Sequence, residues 1–357
     1  MIPLNKRLEA FECLGKVLVD IGENTPRVEI HDREVVDSCL EVNRLATEST
    51  RYNGWFDEVN VRRMLYSLGE SLQKENLLLW TDTYRTTLLK QREEKTVGVV
   101  MAGNVPAVGF HDFLTVLMSG NKLTAKLSSD DVKLLPAIAE ILFSIEPGFH
   151  KYVQFTDGTL KSFDAVIATG SNNTSRYFDY YFSAYPHIIR KNRNGVAVLT
   201  GNETKNNLQG LADDIFFYYG LGCRNVSKLF IPEGYDFGPL LKILENRAEV
   251  AENHKYFNNY EYNKAIFLVN GRAHFDTGNL LAVEDQTTAS PMSVIHYEYY
   301  SNPEELKNII ETEAEKIQCL VTGSDLFENR VPFGKTQYPE LWDYADGMDT
   351  LEFILSL

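Results

Sequence analysis

The sequence predicts an α/β protein of two parallel-sheet units preceded by a layer of helices. Three observations carry this. Residues 4–94 repeat apolar positions at helical spacing. From Val97 short β-branched runs alternate with helix-like stretches, and a second alternation of the same kind starts near Val196. At 357 residues the chain has room for two domains of roughly 100–200 residues each.

The elements follow in order. Leu8, Phe11, Leu14, Val17 and Leu18, then Met64, Leu65, Leu68 and Leu72, mark buried faces of helices, and Asp32 is placed to cap another. The charge run Lys90–Lys95 reads as solvated surface. Strands are expected at 97–102, 122–126, 152–155 and 165–168, with helices at 107–118, 132–144 and 175–182. The second stretch gives strands at 196–199, 227–231, 265–269, 294–297 and 319–322, with helices at 206–219, 237–251 and 303–315. Strands alternating with helices at this spacing form parallel sheets covered on both faces, which bind ligands at the carboxyl ends of their strands. Gly103-Asn104 and Gly170-Ser171 fall at such ends. Facing α/β units would put residues near the start of the second one in a cleft.

Composition narrows the function. A net charge of −15 argues against an extended nucleic-acid surface, although Arg190, Lys191 and Arg193 leave room for a local anion pocket. Cys13, Cys39, Cys223 and Cys319 are far apart, without metal-ligand spacing to one another or to histidine, which argues against zinc and against a disulfide framework. No signal-peptide core opens the chain, and no apolar run approaches the roughly 18 residues of a membrane span, so a cytoplasmic protein is expected.

Cys223 is the candidate nucleophile. Gly220 and Gly222 precede it, leaving room for backbone and substrate to approach, and Arg224 favours the thiolate, which is the reactive form. The competing reading is a small buried hydrophobe. The other candidates have competing readings too: Asn104 as a helix cap, Gly170-Ser171 as a tight turn, Lys126 as a solvated lysine. Arg190 and Arg193 are read as surface charges, and Trp342, Tyr344 and Phe353 as packing residues. At least one of Phe216, Phe217, Tyr218 and Tyr219, which lead to the thiol, is expected to touch substrate.

Asn104-Val105-Pro106, Gly120-Asn121-Lys122-Leu123-Thr124-Ala125-Lys126, Thr169-Gly170-Ser171 and Cys223, in that order, resemble the landmarks of the aldehyde dehydrogenase superfamily. Arg190–Leu199, the Cys223 region and Trp342–Thr350 narrow the resemblance to the bacterial acyl-CoA reductase family, typified by the reductase subunit of the bioluminescence fatty-acid reductase complex. The resemblance implies an aldehyde-dehydrogenase-like fold with a Rossmann-type cofactor domain and a second α/β catalytic domain, the active site lying between them. The expected division is 1–198, rejoined by a segment of about 334–357, and 199–333 carrying the thiol.

The resemblance also implies chemistry. Cys223 would attack an acyl thioester, with the Asn104 side chain and the Cys223 N–H holding the oxyanion. Lys126, Ser128, Ser129, Gly170, Ser171 and Arg176 would bind the cofactor. The superfamily's Glu-Leu-Gly-Gly base has no carboxylate counterpart in Lys191–Gly195, which favours thioester reduction over hydrolysis. A ribose-binding Glu is replaced by Ser129, which favours NADP(H). A second ribose contact is carried only weakly by Glu284 or Asp285. The implied partners are acyl-CoA or another acyl thioester, together with an acyltransferase, an acyl-protein synthetase or an acyl carrier protein, and an oligomer is compatible. Competing functions are a cofactor-independent cysteine acyltransferase or thioesterase, an inactive scaffold of the same fold, and an acyl-phosphate reductase.

Overall fold

The computed structural model describes residues 1–25, 32–170 and 172–357. It divides into two compact units, Met1–Lys191 with Tyr338–Leu357, and Asn192–Gln337.

The first unit opens with α1 (Leu4–Glu23), α2 (Arg33–Thr47), α3 (Glu58–Ser71), α4 (Lys74–Asp82) and α5 (Arg85–Leu88). Phe11, Leu14 and Leu18 share one face of α1 and are fully buried. Gly15 and Gly69 let α1 and α3 cross closely, since a Cβ on Gly69 would lie 2.6 Å from the Gly15 carbonyl oxygen. Asp32 caps α2 by accepting the Glu34 N–H at 2.8 Å.

A five-stranded sheet follows, built from β1 (Thr96–Val100), β2 (Lys122–Lys126), β3 (Val153–Thr156), β4 (Ala165–Thr169) and β5 (His187–Arg190). Helices α6 (Phe110–Ser119), α7 (Leu134–Ile145) and α8 (Asn172–Phe182) connect its strands. All pairings are parallel, in the order β3-β2-β1-β4-β5. Val97, Val99, Leu123, Ala125, Val166 and Ile167 are buried, as a sheet covered on both faces requires. Successive strands run outward from β1 in one direction and then, from β4, in the other. The switch point therefore lies between β1 and β4, where open parallel sheets bind ligands.

The second unit holds β6 (Asn194–Val198), α9 (Lys205–Phe216), β7 (Val226–Pro232), α10 (Gly238–Glu245), α11 (His254–Val269), β8 (Phe275–Asp276), β9 (Leu281–Glu284), β10 (Val294–Tyr300), α12 (Pro303–Thr312), β11 (Ile317–Thr322) and β12 (Arg330–Val331). Its sheet has the order β12-β11-β6-β7-β10-β9-β8, parallel except for the β8–β9 pair. The strand 194–198 belongs to this sheet, so the division falls at Lys191/Asn192 rather than at 198/199. The return to the first unit falls at Gln337/Tyr338.

Two sequence expectations are corrected in this unit. Ala265–Val269 is the last turn of α11 and not a strand, with Leu268 and Val269 exposed. The helix expected over 237–251 is α10 followed by a separate 3₁₀ turn, Ala248–Glu252.

After the second unit the chain returns to the first, where α13 (Thr350–Leu355) packs on α6. Arg190 is not a surface charge. It is 7% exposed and forms a bidentate pair with Asp112 of α6 at 2.7 and 2.8 Å, while donating to Thr350 Oγ1 at 3.0 Å. The returning segment is thus tied to the edge strand β5. The anion pocket expected at Arg190, Lys191 and Arg193 loses Arg190 to this pair.

The 90–95 run is also less solvated than its charges suggest. Glu94 takes the α-amino group of Met1 at 2.7 Å, and Arg92 donates to the Leu355 and Ser119 carbonyls, each at 3.0 Å. Tyr344 accepts from Trp80 Nε1 at 2.7 Å and packs on His111, as a packing residue should, whereas Trp342 is 40% exposed. Among the described residues no helix is long and apolar enough to cross a membrane.

Candidate active site

Cys223 is exposed, on a turn between α9 and β7. The buried-hydrophobe reading therefore fails for this residue. It describes Cys319 instead, which is buried with its Sγ 3.5 Å from the Arg224 carbonyl oxygen. Cys13 and Cys39 are half-buried, and burial pushes both thiols up, Cys39 to about 11.

The turn is held from several sides. Asn225 N–H donates to the Gly222 carbonyl at 3.0 Å, and Asn225 Oδ1 accepts the Gly222 N–H at 2.9 Å. Asn225 Nδ2 reaches back to the Asp214 and Phe217 carbonyls, at 3.0 and 2.9 Å, at the end of α9. Arg224 Nε donates to the Thr336 carbonyl at 2.5 Å. Gly195 closes the remaining side, since a Cβ there would lie 2.7 Å from the Arg224 and Asn225 carbonyl oxygens. Gly195, which ends the carboxylate-free stretch, therefore sits directly beside the thiol turn.

The approach to this turn is strained. Tyr218 and Tyr219 hold φ of 52° and 58°, and Gly220 holds 75°, giving three consecutive left-handed residues. Only the glycine adopts that conformation without steric cost, and a non-glycine residue there costs of order 1–2 kcal/mol. Such strain persists where surrounding contacts enforce it. Here Tyr218 is buried and the Tyr219 ring lies 5.9 Å from that of buried Tyr256. Phe216 is buried too, so Phe217 and Tyr219, both half-buried, are the members of the aromatic run available to a substrate.

Behind the turn sits Asp214, 1% exposed. It accepts the Gly334 N–H at 2.7 Å, the Thr336 N–H at 3.0 Å and the Thr336 hydroxyl at 2.8 Å. Burial pushes its carboxyl up to about 6, and the three hydrogen bonds offset this only in part. Asp214 thereby fixes the strand of chain whose Thr336 carbonyl holds Arg224.

In the first unit Asn104, Lys126 and Gly170 lie at or just past the carboxyl ends of β1, β2 and β4. Asn104 is exposed in the loop after β1. It does not cap α6, whose N-cap is Gly109. Lys126, half-buried, ends β2 beside Val100, and Ser128 and Ser129 follow it. A Cβ on Gly103 would lie 2.5 Å from Ser128 Oγ, so the two loops are in contact because Gly103 has no side chain. Gly170 directly follows β4, and a Cβ there would lie 2.9 Å from Phe178 of α8. Arg176 is exposed on α8. Ser171 lies outside the described residues.

Sequence reasoning missed Asp131, which is buried and joins these loops. It accepts the Ala107 N–H at 2.7 Å and the Leu134 N–H at 3.2 Å, and burial raises its carboxyl. It braces a backbone with φ of 46° at Ala107, three residues after Asn104. The only sequence signal was an acidic residue just before a helix.

Asp285, considered for a ribose contact, is already engaged. It accepts from Arg272 at 2.6 Å and from the Thr287 hydroxyl and N–H at 2.7 and 2.8 Å, which together hold its carboxyl well below the usual range. No cluster of His, Cys, Asp and Glu suited to a metal occurs among the described residues.

A Rossmann-type parallel sheet with its switch point between β1 and β4, followed by a second sheet whose strand β7 is reached through an exposed cysteine turn, is the aldehyde-dehydrogenase-like fold. The solved structures that share it include aldehyde dehydrogenase 21 from Physcomitrella patens in complex with the reaction product succinate. That match has a TM-score of 0.60 at 11% identity, over 90% of this chain and 77% of that one. The NAD+ complex of an aldehyde dehydrogenase from Bacillus cereus matches with a TM-score of 0.55 at 14% identity, over 91% and 74%. The P. syringae indole-3-acetaldehyde dehydrogenase AldA with NAD+ and IAA gives 0.58 at 13%, over 89% and 72%. No family model and no curated protein matches by sequence, so the likeness is one of fold.

Proposed function

We propose that the protein is an oxidoreductase that reduces an acyl thioester, of which fatty acyl-CoA is the favoured member, to the aldehyde through an acyl-Cys223 intermediate. The observation that carries this reading is the exposed thiol on a pinned turn, bordered by Gly195 and a stretch, 191–195, without a carboxylate. A thiol so placed can take an acyl group. With no carboxylate in that stretch to activate water, the thioester it forms survives for reduction.

In this scheme the Cys223 thiolate attacks the thioester carbonyl, the carrier's carbon–sulfur bond breaks, and the carrier leaves as a thiolate that takes its proton from solvent. The Cys223 N–H stabilises the oxyanion at each tetrahedral stage, and collapse of the thiohemiacetal returns the thiolate and releases aldehyde. A donor of that kind is typically worth roughly 10²–10³ in rate.

The carboxyl ends of β1, β2 and β4 suit a dinucleotide, because the strand order reverses between β1 and β4 and Gly103 lets the loop after β1 close on Ser128 of the loop after β2. Lys126, Ser128, Ser129, Gly170, Ser171 and Arg176 would hold it, and bound NADPH would supply the hydride. Ser129 places no carboxylate against a 2′-phosphate and Lys126 offers it a cation, which supports NADP(H), although exposed Asp130 stands next in the chain. An acyltransferase, acyl-protein synthetase or acyl carrier protein would deliver the acyl group.

The test is incubation of the protein and its Cys223→Ala variant with labelled long-chain acyl-CoA, with and without NADPH. Covalent label on the native chain alone without NADPH, and aldehyde with it, is the expected result. Free fatty acid in both arms would replace the reductase reading with a thioesterase.

A further inference from the structure

A cavity of about 570 Å³ lies in the first unit, between the start of α1 and the helices α4 and α5. That volume is within the roughly 300–1,000 Å³ of small-molecule sites. Leu4, Leu77 and Leu88 in its lining are buried, and Leu78 and Leu89 are 38% and 63% exposed. The polar lining is cationic in an acidic protein, with Arg7, Lys74, Arg85 and Lys90 against Glu9 and Glu12. Glu12 is already paired with Lys16 at 2.7 Å.

Arg7 is the unusual member. It is 1% exposed, and its two terminal nitrogens donate to the Met118 and Leu88 carbonyls, not to a carboxylate. Its Nε is buried with no hydrogen-bond partner. Burial, and then the neighbouring Arg92, push this guanidinium down to about 10. Capping the ends of α6 and α5 explains the two carbonyl bonds. It leaves the charge without a counter-ion and the third nitrogen unbonded, which is costly in an interior. An anion in the cavity would supply the missing counter-charge.

We infer that this cavity binds an amphipathic monoanion, a fatty carboxylate, with its head group toward Arg7 and the rim cations and its alkyl chain along the leucines. The cavity belongs to the first unit and Cys223 to the second, and the inference does not depend on the reductase reading.

Photoaffinity labelling of the intact chain with a diazirine analogue of dodecanoate tests it, after Cys223 has been alkylated so that the thiol takes no probe. Label is expected in peptides covering residues 1–12 and 74–91, displaced by dodecanoate but not by dodecanol or acetate. The Arg85→Glu/Lys90→Glu variant, altered only at exposed positions, should lose labelling by about tenfold or more with an unchanged circular dichroism spectrum. Label confined to other peptides, equal displacement by dodecanol, or full labelling of the charge-reversed variant would overturn the assignment.

Discussion

Asn225 Oδ1 accepts the Gly222 N–H at 2.9 Å, so the residue two places after the thiol holds the backbone immediately before it. With its two donations to the end of α9, this side chain sets where Cys223 stands relative to the helix. It touches no reacting atom in the proposed chemistry and acts by position.

Asn225→Ala should therefore lower acyl-enzyme formation by about 10²-fold, since small misplacements of a reacting group cost that much. It leaves the Gly222 N–H and two carbonyls without their partner, so unfolding free energy should fall by on the order of 2–4 kcal/mol. Single-turnover acylation and urea denaturation measure the two effects. Unchanged acylation would remove Asn225 from the positioning role.

Arg190→Met should destabilise the first unit by about 3–5 kcal/mol, because it leaves Asp112 buried and unpaired. Arg190→Met/Asp112→Leu should recover most of this, as an apolar pair replaces the ionic one. Denaturant midpoints of the single and double variants make the comparison.

Asp214 makes stability depend on pH. Its carboxyl sits at about 6 in the fold against about 3.9 when unfolded, so the folded state binds the proton more tightly. The resulting stabilisation is complete below about pH 4 and is lost as pH rises through 6, a change of roughly 3 kcal/mol. Asp214→Asn should remove this component. The difference in unfolding free energy between native protein and variant, followed from pH 4 to 7, should move by that amount. A difference that is flat across the range would refute it.

Ser129→Glu should shift cofactor preference from NADPH toward NADH by tenfold or more in kcat/KM, by placing a carboxylate against the 2′-phosphate while offering an acceptor to the ribose hydroxyls. Steady-state kinetics with both cofactors decide it. An unchanged ratio would argue that Ser129 does not face the adenosine ribose.

Most of the parallel-strand pattern was legible, because runs such as Val97–Val100 and Ala165–Ala168 are apolar and β-branched where a doubly covered sheet needs them. The edge strand β5 was not, since His187–Arg190 offers only two apolar residues between charged or polar ends. Ala265–Val269 misled for the opposite reason: a short apolar run reads alike at the end of a helix and in a strand. Of the candidate site, Cys223 and its flanking glycines were visible as local chemistry. Asn225, Asp214 and Thr336 were not, because their roles come from carbonyls and amides brought in by folding. Arg190 was misjudged similarly, its partner Asp112 lying 78 positions away.

The first unit is assembled from two stretches of chain, with 192–337 inserted between them. On the ribosome, the inserted segment is complete before residues 338–357 have been made, so it can fold while its predecessor still lacks a wall. Until Thr350 emerges, the Arg190 guanidinium lacks its bond to Thr350 Oγ1, and α6 has no α13 beside it. A nascent chain stalled near 337 should accordingly present the surface of α6 to chaperones, and release of the last twenty residues should end that exposure.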